Sequence, residues 1–328
     1  MRSDILFVSK KQNRGGAIYE EQVKRVLEGE YNLDILELNP AKNKLFYFDK
    51  LKYFYQIKTY KPHKKYQVLI ANKAGVYAGI LKRDFQKKIL ILHHFFNEEN
   101  SYPVINRLLK DRLLSNLNQF DLIVVVSDYW KEHFSKYVSV NKIYTIHNSF
   151  DIDKINLIKN NFNKESFKAK YNIPEDKIIV YAGNALKIKG YLDVIHQLDK
   201  NNYFVITSGN TDKNAVHNHL HLNLNYNEYI QLLCSADITI ILSRFQEGWS
   251  RIAHESLICG TPVIGSNVAG MGELLQNAKQ IIWSENDNLS ELLNRSLKQK
   301  EFINYGKNYA SQFNLEYFKN KWKIISSV

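Results

Sequence analysis

Glu247 and Glu255 are the residues of this chain whose type and spacing most readily carry chemistry. They follow a run, Ile238-Thr239-Ile240-Ile241-Leu242, that reads as a buried strand, and they flank a helix expected from about Trp249 to Cys259. Gly260 closes that helix as its C′ residue and Pro262 opens the next strand. A helix start leaves amides unbonded, here those of Trp249 and Ser250 after Gly248, and these can receive phosphate or sugar oxygens. Glu255 stands about one and a half turns further in, so a nucleotide laid along the helix start meets both carboxylates. Each acid alone has a plainer reading. Glu255 can pair with Arg251, four residues back, on a solvated face, and Glu247 can be a loop acid worth about 0.5 kcal/mol beside a helix N-terminus. The two acids together, with Gly248 and the Gly260-Thr261-Pro262 strand entry, point to a site.

This block resembles the retaining GT-B glycosyltransferases, specifically glycosyltransferase family four, with Glu247 and Glu255 as the Glu-x7-Glu motif and matching spacing through Glu273. The resemblance implies metal-independent transfer of a sugar from a nucleotide-sugar donor, with Glu247 on the sugar hydroxyls and Glu255 on the ribose. Tyr181-Ala182-Gly183 followed by Lys189-Gly190 is similar to the family's phosphate-binding loop, which puts Lys189 on the diphosphate. Asn184 stands where the family has Arg, and Lys187 is the candidate to replace part of that charge. Ser208-Gly209 resembles the next family loop, and Leu220-His221-Leu222-Asn223 the strand whose backbone receives the nucleobase. The segment from Thr145 to Asp151 resembles the end of the family's first domain, with Ser149 for a common Gly. Gly15-Gly16, after the first strand, resembles the glycine turn near the diphosphate, and His93 the histidine facing the donor sugar, with His94 as the competing register. The implied site therefore comprises Glu247, His93 and Lys189 as catalytic residues. Donor contacts fall to Gly15, Gly16, Gly183, Asn184, Lys187, Gly209, His221, Leu222, Gly248, Trp249, Ser250, Arg251 and Glu255. No metal and no other cofactor is expected.

Two patterns suggest metals instead. Asp151 and Asp153 have the Asp-x-Asp spacing of metal-dependent transferases, but they sit at a domain join and not in mid-domain. His217, His219 and His221 alternate, so a strand would place all three on one face, a Zn²⁺-like arrangement without a Cys, Asp or Glu in the run.

The elements that must position these residues come from two successive series of short apolar runs separated by helical patterns. Strands are expected at Ile5–Val8, Leu33–Leu36, Val68–Ala71, Ile89–Leu92, Leu122–Val126 and Ile143–Ile146, then at Ile178–Ala182, Tyr203–Ser208, Leu220–Leu222, Ile238–Leu242, Pro262–Gly265 and Gln280–Trp283. The chain has 328 residues, long enough for two domains, and 45% hydrophobic with 24% charged residues excludes disorder. The expected fold is α/β, of GT-B type: two Rossmann-like doubly wound domains facing a central cleft, over 1–165 and 166–311, with a C-terminal helix at 312–328 returning to the first.

No apolar run approaches the ~20 residues of a membrane span, and Cys234 and Cys259 make no disulfide framework, so a cytoplasmic setting is expected. The net charge of +12 favours an anionic partner. Lys42–Tyr66 interleaves lysines and aromatics with a single acid, Asp49, which suits peripheral contact with the inner face of an anionic membrane, and no nucleic-acid module accompanies it. Set against this is a segment with its aromatics in the first core and its lysines in water. The expected partners are a nucleotide-sugar donor and a sugar or lipid-linked glycan acceptor. The rival readings are a nucleotide-sugar epimerase or hydrolase on the same fold and a catalytically weak binding protein, the latter motivated by Asn184 and Ser149.

Overall fold

The computed structural model describes residues 2–10, 15–38, 55, 59–60, 64–73, 75–77, 84–95, 103–212 and 219–327. They form two compact units, one of Met1–Asn148 with Glu316–Val328 and one of Ser149–Leu315.

The first unit holds a six-stranded parallel sheet: β1 (Asp4–Lys10), β2 (Asn32–Leu38), β3 (Val68–Asn72), β4 (Lys87–Leu92), β5 (Leu122–Val125) and β6 (Ile143–Thr145), in the order β2-β1-β3-β4-β5-β6. β3 is buried at every position, as a central parallel strand covered on both faces must be. The order reverses between β1 and β3, and a doubly wound sheet opens its ligand crevice at such a point, beyond the strands' carboxyl ends. The last helix, Leu315–Ser326, closes this unit: Phe318 and Trp322 are buried, and both rings lie against Tyr19, at 5.0 and 6.3 Å. Tyr19 in turn donates its hydroxyl to the carbonyl of Ile146 at 3.0 Å.

The second unit also holds six strands in one sheet, β7 (Ile178–Tyr181), β8 (Tyr203–Ser208), β9 (Leu220–Leu222), β10 (Ile238–Ile241), β11 (Val263–Ser266) and β12 (Ile281–Trp283), in the different order β12-β11-β10-β7-β8-β9. Every pairing is parallel, and here the order reverses between β7 and β10. All twelve expected strands are present, two of them with the expected ends and the rest with ends that differ by at most two residues.

The boundary differs from the expected one at 165/166. Helices Ile152–Asn160 and Lys164–Lys170 belong to the second unit because their lysines are tied to it. Lys159 Nζ donates to the carbonyl of Cys259 at 2.5 Å, Lys164 pairs with Asp237 at 3.2 Å and Lys170 with Glu228 at 2.8 Å. Asp151 is the N-cap of the first of these helices and accepts the amide of Lys154 at 3.0 Å, so its carboxylate has a structural task.

Most of Lys42–Tyr66, including Lys50, Lys52, Lys58 and Lys61, lies outside the described residues. At its described end Tyr66 is buried and donates its hydroxyl to Asp34 at 2.8 Å, while Lys64 pairs with Asp4 and Asp34 at 2.8 and 3.1 Å. These two residues are thus fixed within the first unit and are not part of a free basic surface. No helix among the described residues is long and apolar enough to cross a membrane.

Candidate donor site of the second unit

The loops that leave β7 and β10 flank the reversal of strand order, and they carry the charged residues singled out above. After β7 the chain turns at Gly183 (φ +69°) and runs through a short 3-10 turn, Lys187–Lys189, to Gly190 (φ +76°). Gly190 is required twice over. Its backbone is left-handed, and a Cβ there would stand 2.1 Å from the carbonyl oxygen of Leu242. That close approach, with the Arg244 amide donating to the carbonyl of Ile188 at 2.9 Å, presses the β7 loop against the segment after β10. Lys189 Nζ consequently pairs with a carboxylate oxygen of Glu247 and lies 4.8 Å from the centre of the Phe245 ring. Both charged side chains are mostly enclosed, at 22% and 13% exposure, so this pair is screened less than a surface ion pair.

The helix following Glu247 is Arg251–Cys259, two residues shorter at its start than expected, with Ser250 as its N-cap. Trp249 is therefore not a helix residue. Its indole is buried and donates to His254 Nδ1 at 3.0 Å, which leaves His254 protonated on Nε2, donating to the carbonyl of Ala310 at 2.9 Å. The side chain of Trp249 holds the helix start in place, and only its main chain remains for a donor.

Glu255 sits in the interior, 4% exposed. One carboxylate oxygen accepts from the Tyr229 hydroxyl at 2.9 Å and the other from Arg251 Nη2 at 3.2 Å. The pairing with Arg251 thus exists, but on a buried face and not on a solvated one. Burial raises the Glu255 carboxyl above the usual range, and Arg251 and Tyr229 offset part of that. The same burial, with Glu255 nearby, raises the Tyr229 hydroxyl, so Tyr229 stays a donor.

The remaining expected positions cluster around the β7 and β8 loops. A Cβ on Gly183 would stand 3.7 Å from Ile252 Cδ1, so this turn lies over the first turn of the Arg251–Cys259 helix. Gly209 (φ +81°) donates its amide to the carbonyl of Leu222 at 3.1 Å, and the Asn184 side-chain oxygen would be 3.3 Å from a Cβ on Gly209. Lys187 is exposed, and its amide donates to Asp212 at 2.7 Å. The Thr207 hydroxyl meets His219 Nε2 at 2.7 Å and His221 Nδ1 at 2.9 Å, so both rings are held by the sheet; His217 lies outside the described residues.

In the first unit, the helix Gly15–Glu28 begins on the two glycines, and a Cβ on Gly16 would be 3.2 Å from the imidazole of His93. His93 follows β4 directly. Its ring meets Tyr19 edge-on at 4.9 Å and its Nε2 lies 3.7 Å from Glu20, with no hydrogen bond among the described residues. Glu20 is itself buried and accepts from the Asn72 amide at 3.0 and 3.2 Å. Glu20, Asn72, Tyr229 and His254 were not anticipated. Each is an unremarkable polar residue in its own element, and only the tertiary fold brings it to its partner.

Residues 163–313 match the family model for glycosyl transferases group 1. An uncharacterized glycosyltransferase of Methanocaldococcus jannaschii, MJ1178, is 26% identical over 244 residues, 65% of this chain and 68% of that protein. The chain spans about half the length of two other curated relatives that it matches, 54% and 48%. Among solved structures, a sucrose-phosphate synthase from Thermosynechococcus elongatus superposes with a TM-score of 0.78 at 15% identity, over 99% of this chain and 98% of that one. Anabaena HepE, solved in complex with UDP-glucose, does so with a TM-score of 0.73 at 15% identity, over 99% and 100%. The fold is that of the GT-B glycosyltransferases.

Proposed function

We propose that the chain is a glycosyltransferase that moves a sugar from a nucleoside diphosphate donor, seated on the second unit, to a hydroxyl acceptor with retention. The observation that carries this reading is the Lys189–Glu247 pair: two loops at the reversal of strand order present a cation and an acid side by side, next to the start of the Arg251–Cys259 helix. The match of residues 163–313 to glycosyl transferases group 1 supports it, and the UDP-glucose complex of a protein with the same fold supports the donor class.

In this reading Lys189 and the free amides at the helix start stabilise the diphosphate as it departs, which is electrostatic catalysis by groups already in place. Lys189 exchanges Glu247 for phosphate oxygens when the donor binds, and Glu247 is then released to the sugar hydroxyls. Glu255, held by Tyr229 and Arg251, accepts from the ribose. The leaving phosphate takes the acceptor proton on the same face, so no covalent intermediate on the protein and no metal is needed. For the first unit we assign substrate contact to His93 and the Gly15-Gly16 turn, with Glu20 fixing the ring. The acceptor is a sugar or lipid-linked glycan, in lipopolysaccharide, polysaccharide or glycolipid assembly.

Thermal unfolding against uridine, guanosine and adenosine diphosphates tests the donor class. A diphosphate present at 100 times its dissociation constant adds about 2.7 kcal/mol of stability, so one base should raise the melting temperature clearly above the other two. No shift with any of the three would sink the reading.

A further inference from the structure

Arg251 combines burial, charge and an unmet donor. Its side chain is 17% exposed, Nη2 is spent on Glu255 at 3.2 Å, and the guanidinium carbon stands 4.5 Å from the centre of the Phe150 ring. Phe150 is stacked on His254 at 4.0 Å with 12° between the planes, and His254 is locked by Trp249 and Ala310. The guanidinium plane is thus held from the ring side and along one edge. Nη1, however, is enclosed and has no hydrogen-bond partner among the described residues. Buried charged donors are ordinarily satisfied, and a planar fork held by one edge is suited to an oxyanion on the other.

The setting says which oxyanion. Arg251 is the first residue of its helix, and the Gly183 turn lies over its neighbour Ile252. The β7 loop brings one enclosed cation to this end, Lys189, and it is already paired with Glu247. Lys187 is exposed, and Asn184 carries no charge. We infer that Arg251 is the second phosphate-binding group of the site, giving Nη1 to a diphosphate oxygen while Nη2 keeps Glu255 in place. The inference takes its ligand from the nucleotide-sugar reading above. It assigns to Arg251 the charge that Lys187 was expected to supply.

The test compares each nucleoside with its own diphosphate, and with inorganic pyrophosphate, by calorimetric titration of the wild type, Arg251→Gln and Arg251→Lys. Arg251→Gln should weaken the diphosphate and pyrophosphate by about tenfold to a hundredfold, and the bare nucleoside, which loses only the support of Glu255, by several-fold less. Arg251→Lys keeps the charge but not the fork and should recover part of the loss. Equal weakening of nucleoside and diphosphate would mean that Arg251 serves only to hold Glu255, and overturns the inference. If Arg251→Gln does not fold, Arg251→Lys decides: an unchanged diphosphate affinity overturns it. A wild type that ignores every nucleotide yet binds pyrophosphate through Arg251 supports the oxyanion site while overturning the transferase reading. A wild type that binds none of these ligands overturns both.

Discussion

Glu255 keeps its carboxylate almost out of water between Tyr229 and Arg251, and burial raises its pKa despite both partners. An acid whose folded pKa lies above its unfolded value of about 4.3 binds more protons folded than unfolded. Stability therefore falls as pH rises from about 4.3 through the folded pKa, and the cost stands in full above it. Glu255→Gln removes the buried charge and keeps one acceptor oxygen, which serves either Tyr229 or Arg251. It should melt above the wild type at pH 7.5, with an advantage that shrinks to nothing toward pH 4, and it should bind nucleotide more weakly. Unfolding curves between pH 4 and 8 check this, and a variant that melts lower at every pH would mean that the pairing with Arg251 outweighs burial. Glu247, Lys189 and Glu255 were legible in the sequence because charged residues at strand ends and helix starts stand out at short range. Tyr229 was not, because it reaches Glu255 from a helix 26 residues earlier and nothing local marks that contact. Phe150 and His254 stack for the same long-range reason, and their types alone suggest only core.

The loop from Gly183 to Gly190 is the element on which the site depends, since it carries Lys189 across to the segment that holds Glu247. Gly190→Ala would set a Cβ against the backbone of Leu242 and force a left-handed residue to carry a side chain. We expect it to cost about 2–5 kcal/mol, read as a lower melting temperature, and to weaken diphosphate binding in whatever fraction folds. An alanine variant as stable as the wild type would show that the loop does not need this approach. The strands themselves were readable because parallel strands buried on both faces appear as bare apolar runs; β10 is buried at all four positions. Helix starts and the division between units were less so. Trp249 falls outside its helix because its indole is drawn to His254, and the Ile152–Asn160 and Lys164–Lys170 helices are assigned by where Lys159, Lys164 and Lys170 find partners. Neither fact is written in local periodicity.

Across the whole molecule the net charge is +12, and several of the cations have tasks inside the fold. Lys64, Lys159, Lys164, Lys170, Lys189, Arg244, Arg251 and Lys323 are each paired or bonded within their own unit, so these cations serve the fold and the site. Both sheets are six-stranded and parallel, though their strand orders differ, and each reverses that order near its glycine turn and its charged residues. That organisation is what the proposed reaction requires: a donor-holding unit with cations and acids at its crevice, and a first unit offering Gly16, His93 and Glu20 at its own. The most direct measurement is donor turnover followed by nuclear magnetic resonance, with a panel of nucleotide sugars and chelator present, for the wild type and Glu247→Gln. The account predicts that one donor releases nucleoside diphosphate, that the first sugar anomer formed keeps the donor's configuration, and that Glu247→Gln lowers the rate by about a hundredfold or more while still binding the diphosphate. Inverted configuration, an epimerised donor, or no consumption of any donor by the folded wild type would contradict it.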